Sequence, residues 1–152
     1  MVSIEQIKEL REKTGISVAQ CKKALEAAGG DLTKALASLR ELSGAAADKK
    51  ADRQLGAGVV SAYIHGNNAM GALIELDCET DFVAKNDDFK SMASDLAMHV
   101  AAFAPADLAE LLTQPFVKDP TQTIDDVVKS GIQKFGEKVE IVRFDRFETP
   151  GH

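Results

Sequence analysis

A chain of 152 residues, 45% hydrophobic and 28% charged, has room for one ordinary domain, or for a small domain beside a helical module, and reads as globular. Its net charge of −6 argues against a general nucleic-acid binder, and no apolar run approaches the roughly 20 residues a membrane span needs. Cys21 and Cys78 lie far apart and form no metal or redox motif, and the N-terminus opens directly on an amphipathic pattern instead of a targeting peptide, so a cytoplasmic location is expected.

The first forty residues read as three short helices. Ser3 with Gln6 forms a capping box, Ile4, Ile7 and Leu10 line one face, and Thr14–Gly15 ends the helix. Ser17 with Gln20 repeats the box, ahead of the stripe Val18, Cys21, Ala24, Leu25 and Ala28, which Gly29–Gly30 stops. Asp31 caps the third helix, whose Leu32, Ala35, Leu36 and Leu39 face inward. Such a module is either a stabilising appendage or a docking module in the manner of ubiquitin-associated domains. Cys21 sits on the apolar stripe as a small hydrophobe. Arg11, Lys22 and Lys23 lie off the stripes.

Residues 41–55, rich in Ala, Lys and Asp, read as an exposed helix or semi-rigid linker. A strand, Val59–Ile64, then a Gly–Asn turn at 65–68, then a second strand, Met70–Cys78, make a hairpin. Ala72, Ile74, Leu76 and Cys78 share one face of the second strand, and Leu73, Glu75 and Asp77 the other. Glu79–Asn86 is a junction where a strand stops and a helix starts, with the large ring of Phe82 between charges: a core plug or a probe for a partner. Asn86 caps a long helix that ends near Pro105. Residues 107–112 read as a short helix and 114–120 as a loop. Thr123 with Asp126 caps a last helix that Gly136 terminates. The final strand, Val139–Glu148, has apolar and charged residues on both faces, which suggests a central position or a covering partner.

The expected fold is therefore α+β: an N-terminal three-helix module (1–40), a linker (41–55), and a domain (56–152) built as a three-stranded antiparallel sheet with helices on one face. Catalytic chemistry is not expected. His65 falls in a turn, His99 in a helical stripe and His152 at the terminus, and Cys78, His65 and Asp77 lack the spacing of a nucleophile set. No phosphate loop, dinucleotide fingerprint or metal motif is present, so no cofactor or resident metal is expected. A binding or regulatory module is the better class.

Several segments are specific enough to carry a resemblance. Leu10–Gly15 followed by Cys21–Leu25 resembles the N-terminal module of bacterial translation elongation factor Ts. Cys78–Asn86 is similar to that family's signature segment, with the Thr–Asp–Phe–Val–Ala core intact, and Leu96–Ala101 to the helix after it. Gln114–Pro120 and Arg143–Glu148 resemble the closing part of such chains. The resemblance covers nearly the whole chain, in order. It departs in two ways. There is room for one core subdomain, without the helical-hairpin insertion of longer members, so the chain resembles a short form. Val18 and Ala19 stand where many members have two methionines.

The resemblance implies guanine-nucleotide exchange on elongation factor Tu, in its GDP and nucleotide-free forms. Arg11, Val18, Ala19 and Lys22 would grip the partner's nucleotide domain. Thr80, Asp81, Phe82 and Val83 would press near its nucleotide and Mg²⁺ site. No bond is broken, so this would be exchange and not enzymatic chemistry. No direct contact with nucleic acid or membrane is expected, and the missing second subdomain with the two-sided last strand suggests a homodimer through the core sheet. The competing class is a generic protein-binding module without exchange activity, which leaves Thr80–Val83 unexplained.

Overall fold

The computed structural model describes residues 1–151; His152 lies outside the described residues. The chain divides into two compact units, residues 1–52 with 129–137, and residues 53–128 with the chain from Lys138 on.

The first unit holds α1 (Ile4–Thr14), α2 (Val18–Ala27) and α3 (Leu32–Lys50), with a later segment of the chain. The caps follow from the sequence. Ser3 and Gln6 exchange both bonds of the capping box. At Ser17 only half of it forms: the hydroxyl accepts from the Gln20 N–H at 3.3 Å, and no return bond reaches the Ser17 N–H. Gly15 closes α1 at φ 70°, a left-handed conformation that a side chain would strain, and its N–H reaches the Arg11 carbonyl at 2.6 Å. Leu10, Ile16, Cys21, Leu25, Ala35 and Leu39 form the core. Burial pushes the Cys21 thiol up, against smaller opposing effects of the Thr14 hydrogen bond and Arg11, so it stays a protonated core residue. The third helix does not stop near residue 40; Ala and Lys, good helix formers, carry it to Lys50.

The second unit is built on β1 (Ala57–Ile64), β2 (Met70–Cys78) and β5 (Glu140–Glu148), in the order β1-β2-β5, all antiparallel. Between β2 and β5 run α4 (Asp81–Ala84), α5 (Asp87–Phe103), α6 (Leu108–Thr113), β3 (Pro115–Phe116), β4 (Asp119–Thr123) and α7 (Ile124–Phe135). Residues 129–137, the latter part of α7 and its glycine cap, belong to the first unit. The α+β class and the helix-covered three-stranded sheet are as the sequence indicates. One face of β2 (Ala72, Ile74, Leu76, Cys78) is buried, and α5 packs on β1 and β2.

Two expectations are corrected. Of the two readings left open for the last strand, the central position is excluded: β5 is an edge strand, and its faces do not alternate simply. The register shifts so that Leu76 pairs with Ile141 while Glu75 pairs with Arg143, leaving Val142 as an extra residue in a β-bulge. Ile141 points inward before the bulge, and Phe144 and Arg146 after it. The bulge accounts for part of the two-sided pattern; after it Phe147 still points outward, opposite Phe144. Inward-pointing Arg146 is satisfied: its Nε donates to the Ala101 carbonyl in the last turn of α5 at 2.9 Å, where the helix dipole favours a cation. Second, the stretch 114–120 is not all loop; β3 and β4 form a small hairpin.

Buried His99 of α5 organises that hairpin. Its Nδ1 accepts from the Val117 N–H at 3.1 Å, so Nε2 carries the proton and donates to Gln114 Oε1 at 2.9 Å. The ring stacks on Phe103, with centroids 4.6 Å apart. Burial lowers the His99 pKa, with the Gln114 bond opposing, so the folded state keeps it neutral. The unfolded chain takes up that proton below about pH 6.5, and the folded one resists, so stability is lost as pH falls through that value. Asp77 acts with the opposite sign. Burial first, then Glu75 and Glu140, push its carboxyl up to about 6 against the pull of Arg143, so it favours the fold at low pH and opposes it as pH rises through about 6. With Asp77→Asn as background, the Tm is expected to fall between about pH 7.5 and pH 5.5; a Tm that holds or rises would mean that the pocket accepts an imidazolium.

Candidate functional site

α4 has only four residues, and it divides them sharply. Val83 and Ala84 are buried, while Asp81 and Phe82 point away. The Phe82 ring is 86% exposed, among the most exposed large apolar side chains in the chain. The sequence left it as plug or probe; the structure makes it a projecting ring. Burial of such a ring normally yields about 1.5–3 kcal/mol, which is forgone while it stands in water.

The helix is short because both its ends are capped by the sequence. Thr80 is extended, and its Oγ1 accepts from the Val83 N–H at 3.4 Å. At the other end Asn86 already caps α5, its Oδ1 accepting from the Asp88 N–H at 2.8 Å. A single turn joins them, through Ala84 N–H to the Thr80 carbonyl at 3.2 Å and Lys85 N–H to the Asp81 carbonyl at 3.0 Å. Beneath it, buried Cys78 donates its thiol to the Thr80 carbonyl at 3.3 Å.

One contributor escaped sequence reasoning. Glu79 accepts a 2.6 Å hydrogen bond from the Lys138 N–H and lies 3.4 Å from Arg53. As one more carboxylate just past a strand that already carries Glu75 and Asp77, it gave no distinct sequence signal, and its partners lie 59 and 26 residues away.

The other expected residues stand on the first unit. Arg11 is exposed near the end of α1. Val18, Ala19 and Lys22 are exposed on α2, with Lys22 one helical turn on from both, four residues after Val18 and three after Ala19. Lys22 meets Glu26 only loosely, at 3.9 Å with both side chains in solvent, a pair that holds neither end firmly.

Cys78 pairs with Ala57 at one end of the β1–β2 hairpin, while His65 follows Ile64 at the other, so Cys78, Asp77 and His65 do not converge. Asp77 and Cys78 also point to opposite faces. The His65 ring meets the Tyr63 hydroxyl at 3.2 Å. Among the described residues, no group of three His, Cys, Asp or Glu could hold a metal ion, and no helix is long and apolar enough to cross a membrane.

Comparison with known proteins gives a consistent result. Residues 79–152 match the family model described as Elongation factor TS. The chain is 41% identical to "Elongation factor Ts" of Desulforamulus reducens, covering 97% of this chain and 88% of that one. It is 40% identical to the protein of the same name from Carboxydothermus hydrogenoformans, covering 97% and 89%. With the protein of that name from Leptospira biflexa it shares 36%, over 99% of each chain. These alignments span 192, 193 and 196 positions against a chain of 152, so each relative carries residues that have no counterpart here.

Proposed function

Because this chain belongs to the elongation factor Ts family, we propose that it promotes exchange of guanine nucleotide on elongation factor Tu during translation elongation, in the cytoplasm, as an exchange factor that breaks no bond. The observation that carries the reading is the Phe82 ring, 86% exposed on a helix whose other face is buried. Asp81 and Phe82 enter the partner beside its nucleotide, with Thr80 and Val83 holding them from the surface and the core. The ring separates packed elements, and the bound Mg²⁺ loses its near-ideal octahedral geometry. The phosphates lose their neutralising charge, and GDP leaves.

Magnitudes constrain how this works. A ten-thousandfold acceleration of release needs about 5.5 kcal/mol of differential stabilisation. One phenyl ring supplies about 1.5–3 kcal/mol. The remainder comes from contacts remote from the nucleotide, for which Arg11, Val18, Ala19 and Lys22 are placed on exposed helical surface. Val18 and Ala19 offer less apolar area than a methionine pair. By linkage, nucleotide must weaken this protein's binding by the factor with which the protein weakens the nucleotide's.

The test is release of a fluorescent GDP analogue from elongation factor Tu, chased with unlabelled GDP. The rate should climb with protein concentration and then level off. A flat response with Mg²⁺ and a cognate partner present would leave a docking module without exchange activity.

A homodimer through the core sheet belongs to the same reading. On the face of the sheet away from α5, Val60, Ile64, Leu73 and Phe147 are exposed, and Phe147 is 74% exposed. In register, Ile64, Gly71 and Phe147 form one row and Val60, Glu75 and Arg143 another. Glu75 and Arg143, joined at 2.9 Å, sit side by side, so a two-fold copy can set each cation against the other copy's anion. Sedimentation at micromolar concentration is expected to give a dimer, and Phe147→Asp a monomer; a monomeric unsubstituted protein would rule this interface out.

A further inference from the structure

We infer that Glu79 is the positioning residue of the exchange segment, the group that keeps the Phe82 helix from yielding; the inference rests on the exchange reading above. A four-residue helix cannot hold itself, because one turn fixes several dihedrals for very few hydrogen bonds. Its orientation is set from outside. Val83 and Ala84 anchor its inner side and Thr80 caps its start. These contacts fix where the turn rests. They do not fix the link between the end of β2, paired with β1 at Cys78, and the Thr80 cap.

Glu79 does. Its side chain is only 18% exposed, and its Oε2 gathers two elements distant in sequence. The Lys138 backbone N–H, just before β5, donates at 2.6 Å, and Arg53 Nη1 donates at 3.4 Å. A bond from a backbone N–H to a carboxylate is charge-assisted, stronger and more directional than a neutral one. The main chain is held as well. A Cβ at Gly56 would come within 3.0 Å of the Glu79 carbonyl oxygen, so glycine is what lets the start of β1 approach so closely. The residue immediately before the Thr80 cap is thereby fixed through both its backbone and its side chain.

A wedge displaces its target only if its base is stiffer than what it pushes. If the base gives way, Phe82 still docks, but binding energy goes into moving the helix instead of distorting the nucleotide site. Loss of Glu79 should therefore lower the maximal release rate and spare the affinity, since its carboxylate faces its own chain and not the partner.

The experiment measures GDP-analogue release from elongation factor Tu over a range of exchange-factor concentrations. Glu79→Gln keeps the size and an amide oxygen for the Lys138 N–H while removing the charge. It is expected to lower the saturating rate about tenfold, with less than about a twofold change in the half-saturating concentration. Arg53→Ala, at an exposed position, tests the outer bond without threatening the fold and should lower the rate about two- to threefold. In a Phe82→Ala background, Glu79→Gln should cost nothing further, because a residue acting through the ring has nothing left to position. A purely architectural role gives an equal fold-loss in both backgrounds, and that result would overturn the inference, as would a shifted half-saturating concentration at unchanged maximal rate. Failure of the unsubstituted protein to accelerate release would overturn the exchange reading itself, and this inference with it.

Discussion

Phe82→Ala is expected to lower the rate of GDP release from elongation factor Tu about ten- to hundredfold while leaving the melting temperature within about 2 °C of the unsubstituted protein. Both halves follow from one number. A ring that is 86% exposed contributes little to the fold, so its removal falls among surface substitutions, typically within about 0.5 kcal/mol. The same ring has its whole transfer free energy of about 1.5–3 kcal/mol left to give to a partner, which is the stated fold-range. The loss should be large but incomplete, because the remote contacts of α1 and α2 persist. The check pairs stopped-flow release with a thermal melt of the same sample. A melt lowered by many degrees, with release preserved per folded molecule, would make Phe82 a core plug after all.

Phe89→Ala should do the reverse. Seven residues on, Phe89 is fully buried in the first turn of α5. Truncating a phenyl there removes its transfer free energy and leaves a cavity, together about 3–5 kcal/mol. For a chain of this length each kcal/mol lowers the Tm by roughly 2–4 °C, so a drop of about 6–20 °C is expected. Well below that Tm, release per folded molecule should stay near that of the unsubstituted protein. A destabilisation under about 1 kcal/mol would show that the core closes over the gap. The two substitutions are one chemical change on one short stretch of chain. Only the direction in which each ring points separates their outcomes.

What the sequence made legible was short-range. The caps at Ser3, Asp31, Thr80 and Asn86 are side chains bonded two or three residues away, and so is the reciprocal pair Thr123 with Asp126. The alternation of β2 showed its buried face for the same reason. The errors and omissions were long-range. The bulge at Val142 depends on the register of β5 against a strand some 68 residues earlier. The β3–β4 hairpin depends on His99, 18 residues before the N–H it accepts from. Glu79 was quoted as part of a motif, yet nothing in the motif shows a bond to Lys138. Phe82 is the intermediate case. Its composition and neighbours admitted both fates, and the burial of Val83 and Ala84 beside it decided between them.

The order of the strands also bears on how the molecule is made. The central strand β2 is complete at Cys78, but its second neighbour, β5, ends only at Glu148. The helical unit likewise includes residues 129–137. During synthesis, therefore, neither unit can finish folding until most of the chain has left the ribosome. Until then β2 has one open edge and α5 has an incomplete sheet beneath it. Pairings this distant in sequence form slowly, since the loop must close before any contact rewards it. A nascent chain in that condition is exposed to aggregation and to capture by chaperones. A member of the elongation factor Ts family is thus itself a late folder on the ribosome, its sheet held open until β5 emerges.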